Sequence, residues 1–234
     1  MRECIILAGG LGTRLQSVVN DVPKCMAEVA GKPFLEHLFN YVEAQKTDHV
    51  ILSLGYKAEV VTTWLQTQNR PFHISSVIEN APLGTGGGIA FAFTKVKTNS
   101  AFIINGDTFF DVSLNLLKEQ HDKNNAHISL ALKAMQDFDR YGSVDVDTDG
   151  RIKHFNEKKY CKKGLINGGI YLVEKSIFAE LGLPEKFSFE KDILEAHIGD
   201  MPIYGFAYDN YFIDIGIPED FEKANRELKI TDKK

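Results

Sequence analysis

The sequence predicts an α/β fold built on a mostly parallel sheet that turns mixed toward the C-terminus, and three observations predict it. Short β-branched and apolar runs bounded by turn residues alternate with stretches of helical spacing through the first half of the chain. Two glycine-rich segments, at 9–12 and 84–88, lie at junctions between a strand and a helix. After about residue 127 the pattern changes to strands that follow one another with short turns, which makes the sheet mixed.

The elements follow in order. Cys4-Ile5-Ile6-Leu7 is a continuous apolar run and reads as a buried first strand. Phe34, Leu35, Leu38, Phe39 and Val42 then recur at helical spacing after Lys32-Pro33, where proline suits a helix start. Strands are expected at 50–54, 72–78 and 102–104. Further helices are expected at 58–66, at 89–96 entered from a loop of glycines, and at 114–124. In the second half, 128–133, 143–146, 151–155 and 166–173 read as strands, and 176–181 and 190–197 as helices. Strands at 203–207 and 211–213 precede a last helix starting at Pro218, and the basic tail 229–234 is expected to fray.

A chain of 234 residues suffices for one well-buried core, so a single domain over 1–234 is expected. Apolar residues at 44% and charged residues at 25% exclude disordered, collagen-like and disulfide-scaffold classes. No run approaches the ~18 to 20 apolar residues of a membrane span. The N-terminal apolar stretch is too short for a signal peptide and runs directly into a glycine loop. Twenty-seven lysines and arginines against 32 acids give a net charge of −5, so nucleic acid and anionic membrane are not expected partners, and a polyanionic ligand needs a local basic pocket. Cys4, Cys25 and Cys161 are odd in number and show no metal-knuckle spacing, which fits a reducing cytoplasm. The seven histidines show no metal-binding arrangement.

The strongest local motif is Leu7-Ala8-Gly9-Gly10-Leu11-Gly12-Thr13-Arg14-Leu15, a glycine loop leaving the first strand, followed by Lys24. Glycines let backbone N–H groups approach phosphate oxygens, and Arg14 and Lys24 bring two cations to an otherwise acidic protein. The loop lacks the third glycine of the dinucleotide fingerprint and the ending of the Walker loop, so neither named fold is indicated. Leu83-Gly84-Thr85-Gly86-Gly87-Gly88 sits before a helix, whose N-terminal amides favour an anion or a polar ring edge. Asp107, in Asn105-Gly106-Asp107, follows a strand at the end where open α/β sheets bind ligands, and Asp214 stands in a strongly apolar stretch. Asp107 reads either as a helix or turn cap or as a metal ligand, and in the second reading it shares one Mg²⁺ with Asp214, phosphate oxygens completing the shell. The run Asp145-Val146-Asp147-Thr148-Asp149-Gly150 opens like a calcium loop, but position twelve is Asn156 and Glu157 comes one residue late. It is better read as a hairpin turn.

Taken in order, the first glycine loop, Pro23-Lys24, Gly31-Lys32-Pro33, Gly84-Thr85-Gly86-Gly87, Asn105-Gly106-Asp107, Glu157-Lys158, Gly168-Gly169-Ile170-Tyr171 and Asp214-Ile215-Gly216 resemble the sugar-1-phosphate nucleotidyltransferases. The resemblance spans 4–220. Within that family, Asp139-Arg140-Tyr141-Gly142, 164–169 and 209–220 are most similar to the guanylyltransferases acting on D-glycero-α-D-manno-heptose 1-phosphate.

The resemblance implies a Rossmann-like nucleotidyltransferase fold without a C-terminal β-helix. It divides the chain into a mainly nucleotide-binding half (1–126), a mainly sugar-phosphate-binding half (127–228) and the tail. It implies transfer of GMP from GTP to heptose 1-phosphate with release of pyrophosphate and with Mg²⁺ as cofactor. The expected nucleotide site is Leu7, Gly9, Gly10, Gly12, Thr13, Arg14, Glu79, Gly84, Thr85, Gly86 and Asp107. The expected sugar-phosphate site is Asn105, Gly142, Glu157, Lys158, Asn167, Gly168 and Gly169. Arg14, Lys24, Asp107 and Asp214 are the expected catalytic residues. The family's usual Lys-Pro is Lys24-Cys25 here, so either a more mobile lysine or a thiol exposed beside the phosphates is expected.

The attacking sugar-phosphate oxygen is already anionic near neutral pH, so no general base is needed, and catalysis rests on alignment and charge neutralisation. Guanine presents adjacent N1–H and N2–H donors that one carboxylate accepts together, which makes Glu79 a base-selecting candidate. Other readings stay open: another hexose 1-phosphate, mannose first, a uridylyl- or thymidylyltransferase, a glycosyltransferase, or a nucleotide sensor without catalysis. The sequence gives no oligomeric state.

Overall fold

A computed structural model describes residues 1–10, 15, 19 and 21–231, with side chains described to Leu228. Strand β1 (Glu3–Ala8) leads through a 3₁₀ turn (Lys24–Met26) and the small hairpin β2 (Glu28–Val29) and β3 (Lys32–Pro33) into helix α1 (Phe34–Ala44). Then come β4 (His49–Leu54), α2 (Ala58–Leu65), β5 (His73–Ile78), α3 (Gly84–Phe93), β6 (Ser100–Asn105), β7 (Thr108–Phe110) and α4 (Leu114–Lys123). The second half runs β8 (Ile128–Phe138), β9 (Val144–Val146), β10 (Ile152–Phe155), β11 (Cys161–Glu174) and α5 (Ile177–Glu180). A π-helical segment (Phe189–Glu195), β12 (Ile203–Tyr208), β13 (Phe212–Asp214) and α6 (Pro218–Thr231) complete it.

Seven strands form one sheet in the order β12-β8-β11-β6-β1-β4-β5, and β11 alone runs antiparallel to its neighbours. The expected mixed, mostly parallel sheet is therefore present, and both halves of the chain contribute strands to it. Side chains alternate across the strands, so Cys4, Ile6 and Ala8 of β1 enter the core under α1, while Ile5 enters the core under α3. β4 divides in the same way, with Val50, Leu52 and Leu54 on the first face and Ile51 on the second. Successive connections leave β1 toward β4 on one side and return to β6 on the other. The carboxyl ends of β1 and β6 thus flank the crevice where such sheets bind ligands.

Three local expectations differ from the structure. Helix α3 begins at Gly84, so the glycine run expected as a loop is its first turn and a half. Glycine is a poor helix former, and what holds the run helical is tertiary packing. A Cβ on Gly86 would lie 2.1 Å from the Phe187 ring, and one on Gly87 would lie 2.4 Å from the Glu185 carbonyl oxygen. β8 and β11 extend beyond their apolar stretches, out to Phe138 paired with Cys161, because their half-exposed ends pair with each other instead of burying an apolar face. The backbone of α6 continues to Thr231, into the expected frayed tail. The Asp149-Gly150 turn is as read: Gly150 has φ +87°, and Asp147 accepts the N–H groups of Asp149 and Arg151 as a turn cap between β9 and β10. Among the described residues no helix is long and apolar enough to cross a membrane.

Candidate active site

A cavity of about 680 Å³ opens at the carboxyl ends of β1, β4, β5 and β6. Its floor is residues 7–10, leaving β1, and Asn105, Gly106 and Asp107, leaving β6. Glu79 to Pro82 and the start of α3, with Gly84, Thr85 and Gly88, form the opposite wall. The two floor segments touch: Gly106 donates its N–H to the Leu7 carbonyl at 2.9 Å, and a Cβ on Gly106 would lie 2.3 Å from that oxygen. Only glycine fits where the strand ends close on each other. Of the expected nucleotide residues, Leu7, Gly9, Gly10, Glu79, Gly84, Thr85 and Asp107 line this cavity, as does the expected catalytic Lys24. Gly12, Thr13 and Arg14 lie outside the described residues. Gly86 is not among the lining residues, because the Phe187 ring occupies the space beside its Cα.

The acids at 107 and 214, far apart in sequence, are brought together by the small ladder β7–β13. Asp214 pairs with Thr108, and Ile215 donates its N–H to the Asp107 carbonyl at 2.9 Å. Lys24, on the 3₁₀ turn, joins them, with its Nζ 2.5 Å from Asp107 Oδ2 and its side chain only 12% exposed. Asp214 accepts the Gly216 N–H on Oδ1 at 2.7 Å, and a Cβ on Gly216 would lie 2.7 Å from that oxygen and 3.1 Å from Lys24 Nζ. Lys24 and Asp214 thus both lie against the bare Gly216, and Lys24 also reaches Asp107. The donor set is hard carboxylate oxygen, and among the described residues no third histidine, cysteine or acid joins it. Such a pair suits an ion that takes its remaining ligands from phosphate and water.

Glu79 stands at the far end of the cavity. Its Oε2 accepts the Leu83 N–H at 3.0 Å, its Oε1 lies 3.4 Å from Ser53 Oγ, and an added Cβ at Gly88 or Gly9 would meet Oε1 at 2.7 or 3.3 Å. Glycines on both sides therefore leave the carboxylate room to face the cavity. Glu190, which sequence reasoning missed, also lines the cavity, with its Oε2 accepting the Thr85 hydroxyl at 2.6 Å and the Ser188 hydroxyl at 3.1 Å. It sits in a mixed-charge stretch with the look of a solvated helix face. Only the π-helical segment, a geometry frequent at functional sites, sets it apart, and that is not visible in sequence.

The second-half residues are placed less directly. Gly169, at φ +73° in the bulge between Asn167 and Ile170 on β11, packs so close that a Cβ would lie 2.8 Å from the Asn105 side-chain nitrogen. Asn167 accepts the Gly169 N–H at 3.0 Å and donates to the Tyr171 hydroxyl at 2.8 Å, so Asn167 and Gly169 form a backing for Asn105, which lines the cavity. Gly168 packs against the Phe110 ring, and Gly142 against the Asn156 carbonyl. Glu157 and Lys158 lie exposed between β10 and β11 and are not among the cavity's lining residues. Tyr141 turns its hydroxyl toward Asp214 Oδ2 at 3.5 Å.

Cys25 lines the cavity but departs from the expectation of an exposed thiol. Its thiol is buried, which pushes its pKa up to about 12, so it is no exposed thiolate. Its neighbour Lys24 is held by Asp107 without a proline beside it.

With that geometry in view, comparison with known proteins is decisive. The model of the nucleotidyl transferase family matches residues 3–230. The chain belongs to this family. Two bacterial relatives are named D-glycero-alpha-D-manno-heptose 1-phosphate guanylyltransferase. That of Aneurinibacillus thermoaerophilus is 49% identical over 97% of this chain and 98% of its own, and that of Campylobacter jejuni is 48% identical over 94% and 96%. The crystal structure of HddC from Yersinia pseudotuberculosis, complexed with GMP-PN, superposes with a TM-score of 0.88 at 38% identity, covering 98% of this chain and all of that one. As a nucleotidyl transferase the chain is an enzyme, and the cavity at the β1–β6 crevice is its candidate active site.

Proposed function

We propose that this nucleotidyl transferase moves GMP from GTP to D-glycero-α-D-manno-heptose 1-phosphate, giving GDP-heptose and pyrophosphate. One observation carries the reading: a single cavity presents an acceptor carboxylate, Glu79, at one end and the Lys24–Asp107 pair at the other. A guanine edge with two adjacent donors matches the first, and a phosphate chain matches the second. The near-full-length identity to the two heptose 1-phosphate guanylyltransferases supports the choice of base and sugar.

In this reading Glu79 orients the base and Gly9 and Gly10 bring backbone close to the phosphates. Lys24 neutralises charge as two anions approach, and Asn105, backed by Asn167 and Gly169, faces the sugar phosphate, while Gly142, Gly168, Glu157 and Lys158, outside the cavity lining, remain sugar-phosphate candidates by resemblance alone. Gly12, Thr13 and Arg14 complete the phosphate cradle. Asp107 and Asp214 would hold Mg²⁺, which when bound supplies charge stabilisation at the phosphates. The attacking oxygen needs no general base, so the protein's work is to align it with the α-phosphorus and offset repulsion. The reaction belongs in a reducing cytoplasm, and its product carries a nucleoside diphosphate leaving group of the kind consumed in building surface glycans.

The test is a matrix of GTP, ATP, UTP, CTP and dTTP against heptose, mannose, glucose and N-acetylmuramate 1-phosphates, scored by pyrophosphate. GTP with heptose 1-phosphate is expected to give the highest kcat/KM. Preference for mannose 1-phosphate would move the sugar assignment, and nucleoside diphosphate release onto an acceptor would replace the reaction.

A further inference from the structure

The Lys24–Asp107 contact bears on how a divalent ion is captured, and the following rests on the metal reading proposed above. Lys24 Nζ stands 2.5 Å from Asp107 Oδ2 and packs beside Gly216, against which Asp214 Oδ1 also lies. An ammonium in contact with one carboxylate oxygen disfavours a divalent ion at its ~2.0 to 2.1 Å bond length on the same carboxylate, because charges of +1 and +2 would then stand within a few ångströms in a partly buried site. We propose that Lys24 competes with the divalent ion for Asp107, so that the protein alone holds the ion weakly and captures it only together with a triphosphate.

The geometry provides the exchange. Lys24 and Asp107 both line the cavity, so an ammonium that leaves Oδ2 stays within the space a triphosphate would occupy. A phosphate oxygen can take the lysine as its new counter-charge, and Asp107 Oδ2 is then available to the ion. The covalent chain favours this swap. The 3₁₀ turn Lys24–Met26 carries buried Cys25, so the backbone is anchored while the lysine side chain is long enough to move. Asp214, whose Oδ1 accepts the Gly216 N–H, keeps its place throughout. Mg²⁺ binding and nucleotide binding thereby become coupled, each raising the other's affinity.

The test is a titration of the protein with Mn²⁺, followed by electron paramagnetic resonance of the free ion, with and without a non-hydrolysable GTP analogue. Without nucleotide, Lys24→Met is expected to bind Mn²⁺ at least about tenfold more tightly than wild type, whereas Lys24→Arg, which keeps the charge, stays weak. Lys24→Gln serves as a second neutral variant, and circular dichroism checks that each is folded. With the analogue present, the gap between Lys24→Met and wild type should shrink. If both folded neutral variants bind Mn²⁺ no more tightly than wild type, while Asp107→Asn still abolishes binding with the analogue present, the competition is wrong and the metal site stands. If Asp107→Asn leaves Mn²⁺ binding with the analogue unchanged, the metal reading itself is wrong.

Discussion

The two ends of the central sheet hold carboxylates in opposite conditions. At the amino ends of β1 and β4, Glu3 is buried and saturated. Its Oε2 accepts the N–H groups of Lys97 and Thr98 and the Thr98 hydroxyl at 2.6 to 2.8 Å, and its Oε1 accepts from His49, whose other nitrogen meets Ser75 at 2.7 Å. At the carboxyl ends of the strands, Glu79 and Asp107 face a cavity with few protein partners each. The same residue type therefore does two jobs. A carboxylate whose acceptor capacity is filled by the protein contributes to the fold, and one with capacity directed into a cavity is available to a ligand. Sequence position alone does not separate these cases, since Glu3 and Glu79 each stand at a strand terminus.

The contrast breaks if mutations at the two ends act alike. The largest effect is expected at the open end. Asp107→Asn and Asp214→Asn should each lower kcat/KM by ~10² to 10³ with little change in Tm, and a variant keeping more than half of normal activity would remove that acid from the site. At the closed end, Glu3→Ala strands several buried donors and should lower the unfolding free energy by about 3 kcal/mol in urea denaturation. The turnover of its folded fraction should stay near wild type, and a large loss of turnover at unchanged stability would refute the division. Glu79→Gln swaps an all-acceptor group for one that also donates, and should lower the preference for GTP over UTP by about tenfold in kcat/KM. An unchanged ratio would take Glu79 away from the base.

The smallest effect sharpens the comparison through pH. Burial alone would raise the Glu3 pKa, but hydrogen bonds from Thr98, His49 and Lys97 outweigh it and hold the carboxyl below its ordinary value. A depressed folded pKa means that this group's contribution is full above its unfolded value of ~4.3 and is lost as pH falls through the folded one. Glu3→Gln should therefore flatten the acid limb of the stability curve, measured as Tm between pH 5 and 3. A curve identical to wild type would show that the network does not hold the charged form.

The alternation of strands and helices, the mixed sheet, the ordered motifs and Asp107 and Glu79 as cavity acids were all legible in the chain, because apolar period and turn residues are local properties. Other features depended on contacts distant in sequence. Gly84, Gly86 and Gly87 became helix because Phe187 and Glu185 pack where their side chains would be. Lys24 met Asp107 across 83 residues, Cys25 was buried where an exposed thiol was one expectation, and Glu190 reached the cavity through a π-helical segment. A sequence states which groups a chain carries and how each short stretch bends. Which carboxylates are saturated and which are left facing a ligand is decided only when distant segments close on one another, because a hydrogen bond or a van der Waals contact acts over a few ångströms of space and not along the chain.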